Sequence, residues 1–138
     1  MLGITELKTL LAQMSPELDD KQYVFCLFDG SLVQACQYQP IATFVEEEGL
    51  TLVIEQVRAQ QAGLKWVSSF RKITLKVHSS LDAVGLTAAV ARALAEQGIS
   101  ANVIAAYYHD HIFVPSQEAK RAMSTLQALS HQFKTTED

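Results

Sequence analysis

Val77-His78-Ser79-Ser80-Leu81-Asp82-Ala83-Val84-Gly85-Leu86-Thr87-Ala88 is the stretch on which the reading of this chain turns. Ahead of it, Ile73, Leu75 and Val77 alternate with Thr74, Lys76 and His78, which is the period of a strand with one packed face. After Gly85, the residues Leu86, Ala89, Val90, Ala93 and Leu94 recur at helical spacing until Gly98 stops them. The segment therefore reads as strand, polar loop, glycine, amphipathic helix.

Downstream, residues 100–108 read as a strand, His109-Asp110 as a turn and residues 111–114 as a returning strand. Pro115-Ser116 then opens a last helix whose core face is Ala119, Ala122, Met123, Leu126, Leu129 and Phe133. The order strand, helix, strand, strand, helix suits a split βαβ, so the fold class is α+β: ferredoxin-like βαββαβ units with antiparallel sheets and helices on one face. The last strand is short or supplied from elsewhere.

Upstream, Glu48-Gly49-Leu50-Thr51 echoes Val84-Gly85-Leu86-Thr87. Leu50, Val53, Ile54 and Val57 continue it at helical spacing to Gly63, which predicts a second strand, glycine and helix. Before that come a helix on Ile4, Leu7, Leu10, Leu11 and Met14, a polar link over 17–22, and a buried strand over 23–28. The chain turns at Asp29-Gly30-Ser31 and returns as a strand through 32–38, followed by strands at 41–46, 66–70 and 73–78. Two related units result, residues 1–70 and 71–138, the first with its elements in shifted order.

With 49% apolar and 19% charged residues, the chain can bury a core and stay soluble. A net charge of −4, with no Lys/Arg stripe interleaved with aromatics, argues against nucleic acid. No apolar run approaches the roughly 20 residues needed to span a bilayer, and the start lacks a secretory pattern, so a cytoplasmic protein is expected. Cys26 and Cys36 are then free thiols rather than a bridge.

At this point the second half resembles an ACT domain. The run from Val77 to Ala88 is similar to that family's first strand-to-helix loop, and Asn102-Val103-Ile104-Ala105-Ala106-Tyr107-Tyr108 with His109-Asp110-His111-Ile112-Phe113-Val114 to its second and third strands. Glu46-Glu47-Glu48-Gly49-Leu50-Thr51-Leu52-Val53 resembles a segment of small bacterial tandem ACT proteins that carry no enzyme. The resemblance implies a regulatory module that binds an amino acid or similar small ligand where two ACT units meet, similar to the paired units of aspartate kinases and of animal arginine sensors, and a homodimer formed through the sheets is expected. It places Ser79, Asp82, Val84, Gly85, Leu86 and Thr87 around the ligand, with Asn102 and Ile104 as a second wall and Glu47, Gly49 and Thr51 as the lip of the other unit.

Physical chemistry supports a ligand there independently. Unpaired amides at a helix start, with the dipole behind them, receive an anion, and a glycine lets it approach the backbone. Asp82 or Glu47 can accept from an ammonium group. Taken singly, each glycine only turns the chain and the threonines satisfy local backbone. The acidic run 46–48 reads as a solvated strand end. Of Tyr107 and Tyr108, which point to opposite faces of a strand, one is expected in the core; Trp66 is expected there too.

His78, His109 and His111 are a candidate metal set, against a plain polar hairpin; too few ligands are in sight to assign a metal or cofactor. His78 beside Ser79 and Ser80 makes a poor dyad, because strand neighbours face opposite ways, so catalysis is not expected. Two further classes stay open: a structural assembly module without ligand, and a His-based metal sensor.

Overall fold

The computed structural model describes residues 4–78 and 85–134. In chain order the elements are α1 (Ile4–Gln13), β1 (Pro16–Phe28), α2 (Leu32–Ala35), a 3-10 turn (Cys36–Tyr38), β2 (Ala42–Val45), β3 (Leu50–Glu55) and α3 (Gln56–Gln61). They continue with β4 (Ser69–Leu75), α4 (Leu86–Glu96), β5 (Asn102–Ala105), β6 (Asp110–Pro115), a 3-10 turn (Ser116–Glu118) and α5 (Ala119–Gln132). Mixed α+β structure with six strands, in hydrogen-bonded order β2-β3-β1-β4-β6-β5, bears out the fold class.

Two compact units divide the chain. An inner unit is continuous, residues 20–71; an outer unit combines residues 1–19 with 72–138. The inner unit runs β1-α2-β2-β3-α3-β4, a complete βαββαβ in regular order. Its core is Val24, Cys26, Ala35, Leu50, Leu52, Ile54 and Ala59, with Phe28, Tyr38, Leu64 and Trp66 packed against it. Phe25 of β1 meets Phe70 of β4 edge-on at 5.3 Å.

The outer unit supplies β4, α4, β5, β6 and α5, and takes its fourth strand from the start of β1. Lys72 Nζ lies 3.5 Å from Asp19 Oδ2, and the Lys76 amide donates to the Met14 carbonyl at 2.8 Å, tying β4 to that strand and to the end of α1. The missing last strand thus comes from the N-terminal segment. Leu11 of α1 and Met14, just past its end, join Leu86, Val90 and Leu94 of α4 and Ala119, Ala122 and Leu126 of α5 in one buried cluster.

Several expectations are corrected. Residues 50–55 form a strand, not a helix: β3 pairs with β1 (Cys26↔Leu52, Val24↔Ile54) and with β2 on its other side (Thr43↔Leu52). Leu50 and Ile54 satisfy a four-residue helical step and an even strand step equally, and tertiary pairing decides between them. Val57 is consequently exposed. Residues 32–38 are helical, because Ser31 accepts from the Gln34 amide at 3.1 Å while Gln34 Oε1 accepts from the Ser31 amide at 2.8 Å, a reciprocal capping box. The polar stretch 17–22 belongs to β1, and one strand, β4, replaces the two expected around Arg71-Lys72.

The true internal repeat also differs from the expected one. β5 begins at Asn102 and β2 at Ala42, β6 begins at Asp110 and β3 at Leu50, so these hairpins correspond at a spacing of 60 residues. The turns match as well: the Glu46 amide donates to the Gly49 carbonyl at 3.0 Å, and the Ala106 amide to the His109 carbonyl at 3.0 Å. Tyr107 and Tyr108 therefore sit in a turn and both are exposed, contrary to the expectation that one is core. By element order, the counterpart of Gly85 is Gly30, between β1 and α2, and not Gly49.

Candidate ligand site

Gly85 is the N-cap of α4, with φ 109° and ψ −33°. Its carbonyl accepts the first helical bond, from the Ala89 amide at 2.9 Å, and no side chain among the described residues caps this end. Leu86 buries its side chain in the core, which leaves only its backbone to face outward, while Thr87 is exposed. A Cβ on Gly85 would lie 3.0 Å from Leu7 Cδ2 of α1, so the absence of a side chain also lets α1 pack closely. Ser79, Asp82 and Val84 lie outside the described residues.

The equivalent junction in the inner unit, Asp29-Gly30-Ser31, is built differently. Ser31 and Gln34 satisfy each other's backbone, so two of the donors at the start of α2 are already occupied. The Ser-x-x-Gln spacing at 31–34 was the signal for this, and it marks a closed helix start rather than an open one.

Glu47, Gly49 and Thr51 belong to the β2–β3 hairpin and its following strand. This replaces the strand-to-helix turn expected at Gly49: the Gly49 amide donates back to the Glu46 carbonyl at 3.3 Å, and Thr51 Oγ1 donates to Glu46 Oε1 at 2.7 Å. Glu46, Glu47 and Glu48 are all exposed, in a turn rather than at the solvated strand end expected. Asn102 and Ile104 pair with Phe113 and His111 on β6, and the Asn102 Nδ2 donates to the Phe113 carbonyl at 3.3 Å. Between them Val103 packs on the cluster that includes α4, so Asn102 and Ile104 lie on the opposite face of β5 from α4. The structure brings Gly85, Leu86 and Thr87 together and leaves Asn102 and Ile104 apart from them.

The histidines have separate partners. His111 Nδ1 is 2.8 Å from Thr74 Oγ1, and His78 Nδ1 is 3.2 Å from the Tyr108 carbonyl oxygen. Among the described residues no three His, Cys, Asp or Glu side chains are grouped to hold a metal ion. Burial pushes the His111 imidazole below its ordinary value, helped by Lys72, His109 and Lys76 and opposed by Asp110. A folded imidazole that resists protonation makes the unfolded chain the better proton acceptor. Its contribution to stability is therefore complete above an unfolded value of about 6.5 and is lost as pH falls through the lower folded value. Urea titrations should show stability declining below about pH 6.5, and His111→Gln should flatten that decline; an unchanged slope in the variant would assign it to another group.

Cys26 is buried, which pushes its thiol up and keeps it inert, whereas Cys36 is exposed; both are free. The inner unit also carries an open depression of about 300 Å³ bordered by Asp20, Lys21 and Glu55 and by the amides of Gln22, Gln56 and Gln60. Sequence patterns give no hint of it, because it forms where β3 ends and α3 begins alongside β1. Asp20, Lys21, Gln22 and Gln60 are exposed, and polar contacts so open to water are worth little. No helix among the described residues is long and apolar enough to cross a membrane.

A family profile described as ACT domain matches residues 2–71, and a second, also described as ACT domain, matches residues 67–128. The chain belongs to the ACT domain family, as a tandem of two such domains. Among solved structures it is similar to VC0802 from Vibrio cholerae, described as a protein of unknown function and possible transport protein, with 56% identity, a TM-score of 0.85, and coverage of 94% of this chain and 99% of that one. A protein from Agrobacterium tumefaciens matches at 15% identity and TM-score 0.69, covering 83% of this chain and 87% of its own. The regulatory subunit of aspartate kinase from Thermus flavus shares the fold at 12% identity and TM-score 0.61, over 83% of this chain and 95% of that subunit. No curated protein matches the sequence.

Proposed function

We propose that this tandem ACT protein is a regulatory module that binds a free amino acid at the start of α4. The carboxylate is received by the backbone amides of Leu86 and Thr87, with Gly85 leaving room for its approach and Asp82 accepting from the ammonium group. The observation that supports this reading is the contrast between the two units. At α2 a capping box occupies the Ser31 and Gln34 amides, whereas α4, longer and led by a glycine, has no side-chain cap among the described residues.

A melting screen against the twenty amino acids tests it. A ligand at one hundred times its dissociation constant should stabilise the fold by about 2.7 kcal/mol, a shift of several degrees for a chain of this size. Gly85→Val should abolish that shift, since its branched side chain meets Leu7 and blocks the amides. If no amino acid moves the midpoint, or if the variant binds as the parent does, the reading fails.

A further inference from the structure

β2 ends the sheet on its side, with β3 as its neighbour among the described residues. The turn beyond it fixes which backbone groups face outward. Glu46 and Gly49 exchange both backbone bonds, so Phe44 and Thr51 form the next bonded pair, and the amides and carbonyls of Thr43 and Val45 point away from β3. Beside that free edge stand Phe44, 69% exposed, and Val45, 71% exposed, on opposite faces of the strand. β2 contains no charged residue and no proline, the devices that ordinarily keep an edge from accepting another strand. Glu46, Glu47 and Glu48, all exposed, follow it directly.

The hairpin does not need this chemistry in order to form. In the corresponding hairpin of the outer unit, Phe44 and Val45 are matched by Ile104, which is half-buried, and Ala105, and the three glutamates by Ala106, Tyr107 and Tyr108. Unpaired backbone groups, apolar side chains on both faces and a concentrated negative charge at one end thus coincide on β2. An extended segment meets all three when its apolar residues alternate and basic residues lie at the end beside the glutamates. A second copy of this hairpin does not qualify: no lysine or arginine occurs between Lys21 and Arg58, so it brings no cation to the acidic turn.

We infer that β2 is a docking edge for an extended segment of a partner protein, apolar at alternate positions and basic at the end beside Glu46, Glu47 and Glu48. The segment adds as a strand antiparallel to β2, which makes its first residues the basic ones. Thr43 and Val45 supply the backbone bonds, and Phe44 and Val45 the apolar contacts on either face. The inference does not depend on an amino acid binding at the start of α4.

A capped peptide of alternating valine and threonine preceded by lysines, titrated at low salt into the full chain and followed by amide NMR, tests this. Shifts should concentrate at Thr43, Val45 and the three glutamates. Replacing the peptide's lysines by glutamates, or making Glu47→Lys with Glu48→Lys in the chain, should weaken binding about tenfold, the scale of a few exposed charge pairs. Val45→Pro removes an amide that β3 does not use, where an edge strand tolerates proline, and should abolish binding. A peptide N-methylated along its alternating run makes the same test without altering the chain, and should also fail to bind. No shift along β2, equal binding by the glutamate peptide, or undiminished binding by the methylated one would each overturn the inference. So would β2 amides that respond only to the concentration of the chain itself, because the edge then belongs to a second copy.

Discussion

Met14→Ala is expected to lower the unfolding free energy by about 2–5 kcal/mol, the range for truncating a fully enclosed large side chain. Met14 is 0% exposed and belongs to the buried cluster that holds α1 against α4 and α5. Its neighbours leave it little room to be replaced by collapse, since Leu11 lies beside it in that cluster, the Ser130 hydroxyl donates to the Ala12 carbonyl at 3.0 Å, and the Met14 carbonyl holds the Lys76 amide. Met14→Leu, which conserves volume, should cost less than about 1.5 kcal/mol. Urea denaturation of both variants measures the difference. A Met14→Ala loss no larger than the leucine variant's would mean that α1 is an appendage rather than part of the core.

Gly30→Ala should cost about 1–3 kcal/mol through overpacking. The added Cβ would stand 2.6 Å from Phe28 Cε2 and 2.7 Å from Gln34 Oε1. Neither neighbour gives way freely. The Phe28 ring meets Tyr38 edge-on at 5.7 Å, and Gln34 Oε1 is committed to the Ser31 amide in the capping box. The same substitution thus displaces an aromatic contact and opens a helix cap. Thermal unfolding reads the effect, and proton exchange at the Ser31 and Gln34 amides should quicken in step with it. A melting point within a degree of the parent's would show that the ring swings aside at no cost.

What could be read from the chain follows from how far each signal extends. α1, α4 and α5 are long enough for their apolar stripes to fix one period, and they appear where the spacing puts them. Residues 50–55 are too short to discriminate, and only pairing with strands distant in sequence makes them β3. Residues 32–35 carry a local signal for a helix in the Ser31 and Gln34 spacing, which competes with the hairpin signal of Asp29-Gly30. The site divides in the same way. Gly85 and the start of α4 are local features that a short window of sequence shows. Which face Asn102 and Ile104 occupy depends on the side Val103 takes against a core assembled from α1, α4 and α5, which no window of sequence contains.

The division of β1 between the units bears on the order in which the chain can fold. The inner unit is one continuous segment, residues 20–71, whereas the outer unit is written in two pieces on either side of it. During synthesis the inner unit therefore has all its residues outside the ribosome first, while Leu11 and Met14 still lack the partners that α4 and α5 will bring. Once folded, the inner unit holds β1 beside β4, so its two ends are already close. The outer unit then closes a loop whose entropy has been spent beforehand, although its contacts join residues far apart along the chain.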